Sequence, residues 1–558
     1  MTLNGAEIVI EELVAQGVET VFGYPGGFVL HIFDALYKNS HRINHVLTAH
    51  EQGAAHAADG YARVSGRPGV AIATSGPGAT NLVTGIANAY LDSVPVVFIT
   101  GNVPAHLLGR DAFQEIDIAS VTLPIVKHNY IVRDIKDLQY TLKEAFLIAG
   151  SGRKGPVLVD IPRNVQIDSF EYDPDLKVPA LGLVKKIRNI SALDEALAAI
   201  EKSVRPFIYC GGGVSVSETG AAALELSKKL NAPVGLSMMG IGSIPDSYEL
   251  NLGMCGMHGR YASTVAQSEA DLEIALGVRF SDRATGNAAE YSKNCTVIHI
   301  DIDAAEIGKN INPRINLCGD LREILPLLVE KVNAKQEGEW QARAHELKSM
   351  GKPQSDNGFT PWDAIACVNS YFDDNTAVTT DVGQHQMWVA QNYRFEKPRR
   401  LITSGGLGAM GFGFGAAIGA CMANGRKRTV FFTSEGSFGM NLTEMATAVT
   451  QNLPIVVVVL NNGVLGMVRQ WQTLFFDKRY SQTVLERQTD FPALAKAFGA
   501  QGFSANSLDE LNAVMKNITA ADAAEGPCLI DCRIDKDEKV FPMIPPGGSA
   551  KDIITKEK

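Results

Sequence analysis

Short runs of β-branched and other apolar residues recur along the chain. Each closes in a loop rich in Gly, Asp or Asn and is followed by residues with helical spacing. They lie at 70–74 (VAIAT), 96–100 (VVFIT), 157–161 (VLVDI), 207–210 (FIYC), 296–300 (TVIHI), 429–433 (TVFFT) and 455–460 (IVVVVL). Within each run the apolar positions are continuous. A strand wet on one face alternates, whereas one covered on both faces does not. The pattern therefore predicts parallel sheets flanked by helices, the α/β class.

Two stretches break the pattern. Residues 163–190 hold Pro174 and Pro179 without apolar periodicity, and residues 333–361 are strongly charged and partly helical. Read as linkers, they divide the 558 residues into pieces at about 1–164, 190–332 and 360–540, with a Pro/Gly tail over 541–558. Each piece is long enough for its own sheet and core. The first and third put glycine-rich loops directly after buried strands.

Charge narrows the class. Lys+Arg 51 against Asp+Glu 61 leaves a net −10 without long acidic runs, which argues against nucleic-acid and anionic-membrane binding. The first residues carry acids inside the apolar stretch, unlike a signal peptide. The uncharged run 402–424 is long enough to span a bilayer but holds seven glycines, so it reads as loop and packed helix. The eight cysteines form neither a CxxC pair nor a zinc cluster, as expected of buried thiols in a reducing cytoplasm.

The third piece carries the most chemistry. Ser434-Glu435-Gly436-Ser437 follows the strand at 429–433, and Asn462 comes 27 residues after Glu435, at the end of the next strand. Loops at the carboxyl ends of adjacent parallel strands are where open α/β sheets bind ligands. Glu435, the Asn462 amide and the Val464 carbonyl offer three hard oxygens. Mg²⁺ takes such ligands and completes its octahedron with phosphate and water. Upstream, 381–385 (DVGQH) and 405–410 (GGLGAM) supply N–H groups that suit a diphosphate. A rival reading treats Gly406-x-Gly408-x-x-Gly411, after a strand-like RRLIT, as a dinucleotide fingerprint. It accounts for neither Asn462 nor the acid of the first piece. That acid is Glu51, where INHVLTAHE runs into a helical QGAAHAADGYAR. An acid at a buried strand end keeps a raised pKa unless it meets a partner. The alternative is a simple helix N-cap.

Longer motifs join these points: Phe22-Gly-Tyr-Pro-Gly-Gly27, Ala49-His-Glu51, Gly-Tyr-Ala-Arg63, Thr74-Ser-Gly-Pro-Gly-Ala-Thr-Asn81 and Asp111-Ala-Phe-Gln114. Further along come Gly256-Met-His-Gly259, Arg279-Phe-Ser-Asp-Arg283, Gly383-Gln-His385, Ser404-Gly-Gly-Leu-Gly408 and Gly466-Met-Val-Arg-Gln-Trp471. Together they resemble the thiamine diphosphate (ThDP) enzymes, and most closely the acetohydroxyacid (acetolactate) synthase large subunits. The resemblance implies pyrimidine-binding, central and diphosphate-binding domains for the three pieces. Glu51 would stabilise the imino tautomer of the aminopyrimidine and so make a base beside the thiazolium C2. Gly27 and Gln114 would act with it.

Pro77, Asn81, Gln384, His385, Gly408, Met410, Gly436, Ser437 and Met467 would hold ThDP, and Glu435, Asn462 and Val464 would hold Mg²⁺. Phe113, Gln114, Arg283, Met467 and Trp471 would meet substrate. Arg153, Gly211, Gly212, His258, Arg279, Arg283, Asp301 and Asp320 would bind FAD, which has no redox duty in this reaction. The implied activity joins pyruvate to pyruvate or 2-ketobutyrate with loss of CO₂, towards branched-chain amino acids. The alternatives are a FAD-free catabolic acetolactate synthase or another ThDP-dependent keto-acid decarboxylase or oxidase. Implied partners are the keto acids, a second copy in a homodimer or homotetramer, and a small regulatory subunit, with no nucleic acid or membrane. Four positions depart from the family pattern: Glu435 where Asp is usual, Phe28 where a small residue is common, Asn102 for Gln and Gly415 for Pro.

Overall fold

A computed structural model describes residues 1–179, 191–350, 358–520 and 526–557. Every one of the seven apolar runs is a strand, and the strands gather into three six-stranded parallel sheets. The continuous patterning has the expected cause: Gly69–Ala73, Val96–Asn102, Val157–Pro162 and Ile455–Asn461 are buried along their whole length. The stretch 163–190 is more ordered than its composition suggests. It opens with helix Arg163–Ile167 and strand Ser169–Glu171, which pairs antiparallel with Thr2–Asn4. Residues 180–190 lie outside the described residues. The charged stretch after 333 carries helix Glu339–Ser349. The tail turns back, with Met543 bridging Ile554.

Numbered within their own sheets, the strands of the first and third pieces run in the same spatial order, 2-1-3-4-6-5. The central sheet runs 3-2-1-4-5-6, the order of dinucleotide-binding folds. This redirects the fingerprint reading. Gly406–Gly411 follows Leu401–Ile402, a two-residue strand at the edge of a sheet with the other order. The dinucleotide-type sheet belongs to the middle of the chain.

The uncharged run 402–424 is a loop followed by helix Phe412–Ala423, which is packed inside the protein. Among the described residues no helix is long and apolar enough to cross a membrane. Its glycines serve helix contact: a Cβ on Gly419 would lie 1.8 Å from the Ala57 carbonyl oxygen, and one on Gly415 would lie 2.7 Å from that of Gly53. The two backbones thus touch along Glu51–Ser65, and Gly415 has a steric reason to be bare. The core reflects this contact, since Ala54, Ala57, Tyr61, Phe414, Ala417 and Ile418 belong to one cluster drawn from the first and third pieces. No disulfide joins the eight cysteines; seven are buried and Cys295 is half-buried.

Candidate active site

Each sheet has a switch point, where neighbouring strands send their chains off in opposite directions and leave a crevice at their carboxyl ends. In the first sheet it lies between Thr20–Tyr24 and Gly69–Ala73. The loops leaving them carry Gly27, Thr74 and Pro77. Thr74 ties the two together: its hydroxyl accepts from the Phe28 N–H at 3.2 Å, and a Cβ on Gly26 would lie 2.5 Å from its side chain. Glu51 is the first residue of helix Glu51–Ser65, yet it is not the cap. His50 caps, accepting from the Gln52 N–H. Glu51 instead meets a partner, since Asn81 Nδ2 donates to its Oε2 at 2.9 Å. The other oxygen, Oε1, lies 3.3 Å from where a Cβ on Gly78 would stand. Gln114 comes alongside, with its backbone against Gly76. The loop before it is gathered on the Glu115 carboxylate, which accepts from the N–H groups of Gly109, Arg110 and Ala112. Phe113 at its tip is 82% exposed.

In the third sheet the switch point lies between Ala377–Thr380 and Thr429–Thr433. The loops there are 381–384 and 434–437. Asp381 spends its carboxylate on the fold, accepting from the Gly413 N–H and the Thr433 hydroxyl, both at 2.7 Å. Burial pushes its pKa up to about 6. Gln384 and His385 follow in the first turn of a helix, and burial pushes His385 down to about 3. The ring is neutral, and its buried Nε2 has no hydrogen-bond partner. Ser437 donates to the Val382 carbonyl at 2.9 Å. A Cβ on Gly436 would lie 2.7 Å from Leu465 and 3.8 Å from Met410 Cε, which brings those three together.

Glu435 is the anomaly of this crevice. It is 7% exposed, and neither carboxylate oxygen has a hydrogen-bond partner. Desolvation pushes its pKa up to about 7, offset in part by the amides of Gly463 and Val464 facing it. Those amides place the acid beside the 462–464 loop. Asn462 Nδ2 donates to Gln384 Oε1 at 3.2 Å, and its own oxygen accepts from the Val464 N–H at 3.3 Å. Among the described residues no three His, Cys, Asp or Glu side chains cluster as metal ligands. A site of one carboxylate, one amide and one carbonyl is of a different kind. An orphaned buried carboxylate beside neutral oxygens suits a divalent cation.

The central sheet switches between Pro206–Cys210 and Leu272–Leu276. A cavity of about 1680 Å³ opens there. Arg153, Gly212, His258, Arg279, Arg283, Asp301 and Asp320 line it, and so do Gly408, Met410, Met467 and Trp471 of the third piece. Gly211 lies beneath, where a Cβ would meet the Gly277 carbonyl oxygen at 2.0 Å. Inside the cavity Ser215 Oγ and His258 Nδ1 are buried without partners, and burial pushes His258 down to about 4. Arg153 is already paired with Asp303 and Glu306, at 3.1 and 2.6 Å. Trp471 faces the cavity, with the Arg283 guanidinium 5.6 Å from its ring centre. Glu51, Asn81, Phe113 and Gln114 do not line this cavity.

Three features escaped the sequence reading. Glu444 accepts from the Ala49 and His50 N–H groups at 3.2 and 3.1 Å, fixing the turn before Glu51 from the third piece. Arg63, quoted only within a motif, is buried between Asp59 and Asp92. Asp92 in turn accepts from the Gly405 and Gly406 N–H groups at 3.0 and 2.8 Å. Gln470, also quoted only in passing, bonds Gln384 at 3.0 Å. Glu444 and Asp92 act across pieces, and Gln470 reaches a residue 86 positions away in its own piece, where local patterning carries no signal.

Comparison with known proteins agrees with this geometry. Three thiamine pyrophosphate enzyme domains match: the N-terminal TPP binding domain over residues 3–121, the central domain over 193–328 and the C-terminal TPP binding domain over 381–532. The chain is 43% identical to the acetolactate synthase isozyme 2 large subunit of Escherichia coli, across 99% of this chain and 100% of that one. It is 42% identical to a probable acetolactate synthase large subunit of Methanocaldococcus jannaschii, over 99% and 95%. It is also 42% identical to the chloroplastic acetolactate synthase 3 of Brassica napus, over 99% and 87%. With three matching domains in order and end-to-end identity, the chain belongs to the acetolactate synthase large subunits of the thiamine pyrophosphate enzyme family.

Proposed function

We propose that the chain condenses pyruvate with a second pyruvate or with 2-ketobutyrate, releasing CO₂, and that it uses ThDP, a divalent cation such as Mg²⁺, and FAD. The observation that carries the reading is Glu435, a buried carboxylate without a hydrogen bond at the third switch point. A bare anion there costs several kcal/mol unless a cation arrives. Glu435, Asn462 Oδ1 and the Val464 carbonyl would hold that cation. Gly436, Ser437 and the orphaned Nε2 of His385 would meet the diphosphate, with Gln384 behind them, and Gly408, Met410 and Met467 would bound the rest of the cofactor. ThDP, when bound, supplies a thiazolium carbon acid whose carbanion adds to keto acids. Glu51 Oε1, left over by Asn81, would hold the proton at the pyrimidine nitrogen. Pro77 would hold the ring there, beside Gly27, where a Cβ would meet nothing within 4 Å.

Pieces 1–164, 190–332 and 360–540 would then be the pyrimidine-binding, FAD-binding and diphosphate-binding domains. The central cavity suits FAD in strand order, size and orphaned donors. His258, Arg279, Asp301 and Asp320 would contact it, with Arg153 and the Gly211–Gly212 turn at its edge. Phe113, Gln114, Arg283 and Trp471 would surround the keto acids. The Glu51 cluster lies outside the cavity holding Met410 and Trp471, and the piece that carries it leaves Tyr24, Leu30, Leu47, Phe113 and Leu123 exposed. A second copy would cover that apolar edge and bring Glu51 to the cofactor, making a dimer the smallest active unit. A small regulatory subunit remains a further candidate partner.

The test is product identity. Pyruvate with ThDP and Mg²⁺ should yield 2-acetolactate, and adding 2-ketobutyrate should yield 2-aceto-2-hydroxybutyrate. Acetaldehyde as sole product would make the protein a decarboxylase, and peroxide an oxidase.

A further inference from the structure

Helix Gly466–Phe475 presents two faces to the proposed site. Met467 and Trp471, four residues apart, face the cavity. Gly466 and Gln470, also four apart, face the amide of Gln384. A Cβ on Gly466 would stand 1.9 Å from Gln384 Oε1 and 3.0 Å from Asn462 Nδ2, so the helix closes on these amides only because residue 466 is glycine.

The amides form a relay whose direction is set by the backbone. The Val540 N–H can only donate, and it donates to Gln470 Oε1 at 2.8 Å. The Val540 carbonyl can only accept, and it accepts from Gln470 Nε2 at 3.0 Å. These two bonds leave Gln470 a single orientation. Its oxygen then accepts from Gln384 Nε2 at 3.0 Å, while the Glu538 carbonyl takes that nitrogen's other proton at 2.9 Å. Gln384 is fixed in turn and must show its oxygen to Asn462. Asn462 therefore spends its NH₂ on Gln384, and its carbonyl oxygen, which also accepts from the Val464 N–H at 3.3 Å, is the face left to the crevice. Reversed, Asn462 would aim an NH₂ at the cation.

We propose that Gln470 is a positioning residue which, through Gln384, selects the oxygen of Asn462 as the face offered to the divalent cation. This rests on the reading of Asn462 as a cation ligand. The segment from Glu538 to Val540, just ahead of the C-terminal tail, thereby controls a ligand that it does not touch.

The experiment measures Mn²⁺ affinity with ThDP present, by the free-ion electron paramagnetic resonance signal, on the full-length protein. Gln470→Leu should weaken Mn²⁺ about tenfold, the low end of what partners behind a ligand are worth. Gln470→Glu keeps the acceptor and, when protonated, the donor; it should stay within about threefold of wild type at pH 6. In the Asn462→Asp background either carboxylate oxygen can serve, so Gln470→Leu should weaken binding no further. Equal losses in both backgrounds would show that the residue merely holds the helix, and would overturn the proposal. So would unchanged affinity in Gln470→Leu while Asn462→Ala loses the metal; the site reading would then survive alone. Unchanged affinity in Asn462→Ala would overturn both. Should Gln470→Leu misfold, Gln470→Met supplies the same comparison.

Discussion

The first and third sheets share a strand order and a fastening. Asn102 ends the fourth strand of the first sheet and donates to Asp160, the fourth residue of the sixth strand, at 2.6 Å. Asn461 ends the fourth strand of the third sheet and donates to Asp531, again the fourth residue of the sixth strand, at 2.8 Å. On these matched frames the crevices differ. The carboxylate of the first, Glu51, has a neutral partner in Asn81 and a free oxygen; that of the third, Glu435, has none. A carboxylate held by a neutral amide can still exchange a proton, whereas an orphaned one calls for a cation. On the proposed reading, the residues at the switch point turn one frame to two jobs.

The strongest way to break this contrast is at Glu51. Glu51→Gln is nearly isosteric and keeps an oxygen for Asn81, so it should fold and bind ThDP. It should lose roughly 10²–10⁴-fold in rate, the usual worth of a positioned proton transfer. Deuterium exchange at the thiazolium C2, followed by NMR, checks it directly. Unchanged exchange would give Glu51 only a structural part.

The fastenings offer the next largest effect, and it runs through pH. Desolvation pushes Asp160 up to about 7, opposed by its bonds from Asn102 and Thr100. Its ordinary value is near 4, so the folded state holds a proton over this window that the unfolded chain has released. Stability should therefore fall as pH rises from about 4 to 7. Asp160→Asn should flatten the curve by on the order of 4 kcal/mol, measured by urea unfolding at each pH. Asp531 is also raised by burial, but Arg533 bonds it at 2.8 Å and pulls the other way. Asp531→Asn should therefore flatten the curve less. Equal flattening would mean that the arginine contributes nothing.

How much of this was legible in sequence follows from range. Seven strands announced themselves because burial on both faces leaves an apolar run. Val234–Leu236 did not, since three residues carry no period, and Leu401–Ile402 showed only as a strand-like RRLIT. Glu435, Asn462 and Glu51 stood out because glycine-rich turns after buried strands are local signals. Asn81 as the partner of Glu51, Glu444 under Ala49 and Gln470 behind Gln384 arise from packing between distant segments. Asn102 was visible only as a departure from the family pattern, and its use became clear once Asp160 stood beside it.

Trp471 tests the proposed substrate side of the cavity. The two acceptors differ by one methylene, which a hydrophobic wall can distinguish by about 1–3 kcal/mol. The indole lies along the cavity with the Arg283 guanidinium over its ring, as a wall meeting the acceptor's extra carbon would. Trp471→Leu should lower the preference for 2-ketobutyrate about tenfold and leave pyruvate self-condensation within a few-fold. A competition assay reading the ratio of the two acetohydroxy acids decides it. A steady ratio with falling total activity would make the residue structural.

The smallest effect sharpens the comparison most, because it changes only the reach of the orphaned carboxylate. Glu435 is one methylene longer than the aspartate usual in the family, and the amides of Gly463 and Val464 face it and favour its anion. If the acid ligates a cation, its extra length must be absorbed by a displaced ion or by two-oxygen ligation. Glu435→Asp should then tighten Mg²⁺-dependent ThDP binding by about 1 kcal/mol, since the surrounding loops fit the longer side chain and will recover only part of the ideal geometry. Glu435→Ala should weaken it instead, because Asn462 and Val464 offer no charge of their own. Titrating ThDP affinity against Mg²⁺ separates the two variants. Identical metal dependence in wild type, Asp and Ala would move the cation elsewhere, and the contrast between the crevices would then rest on Glu51 alone.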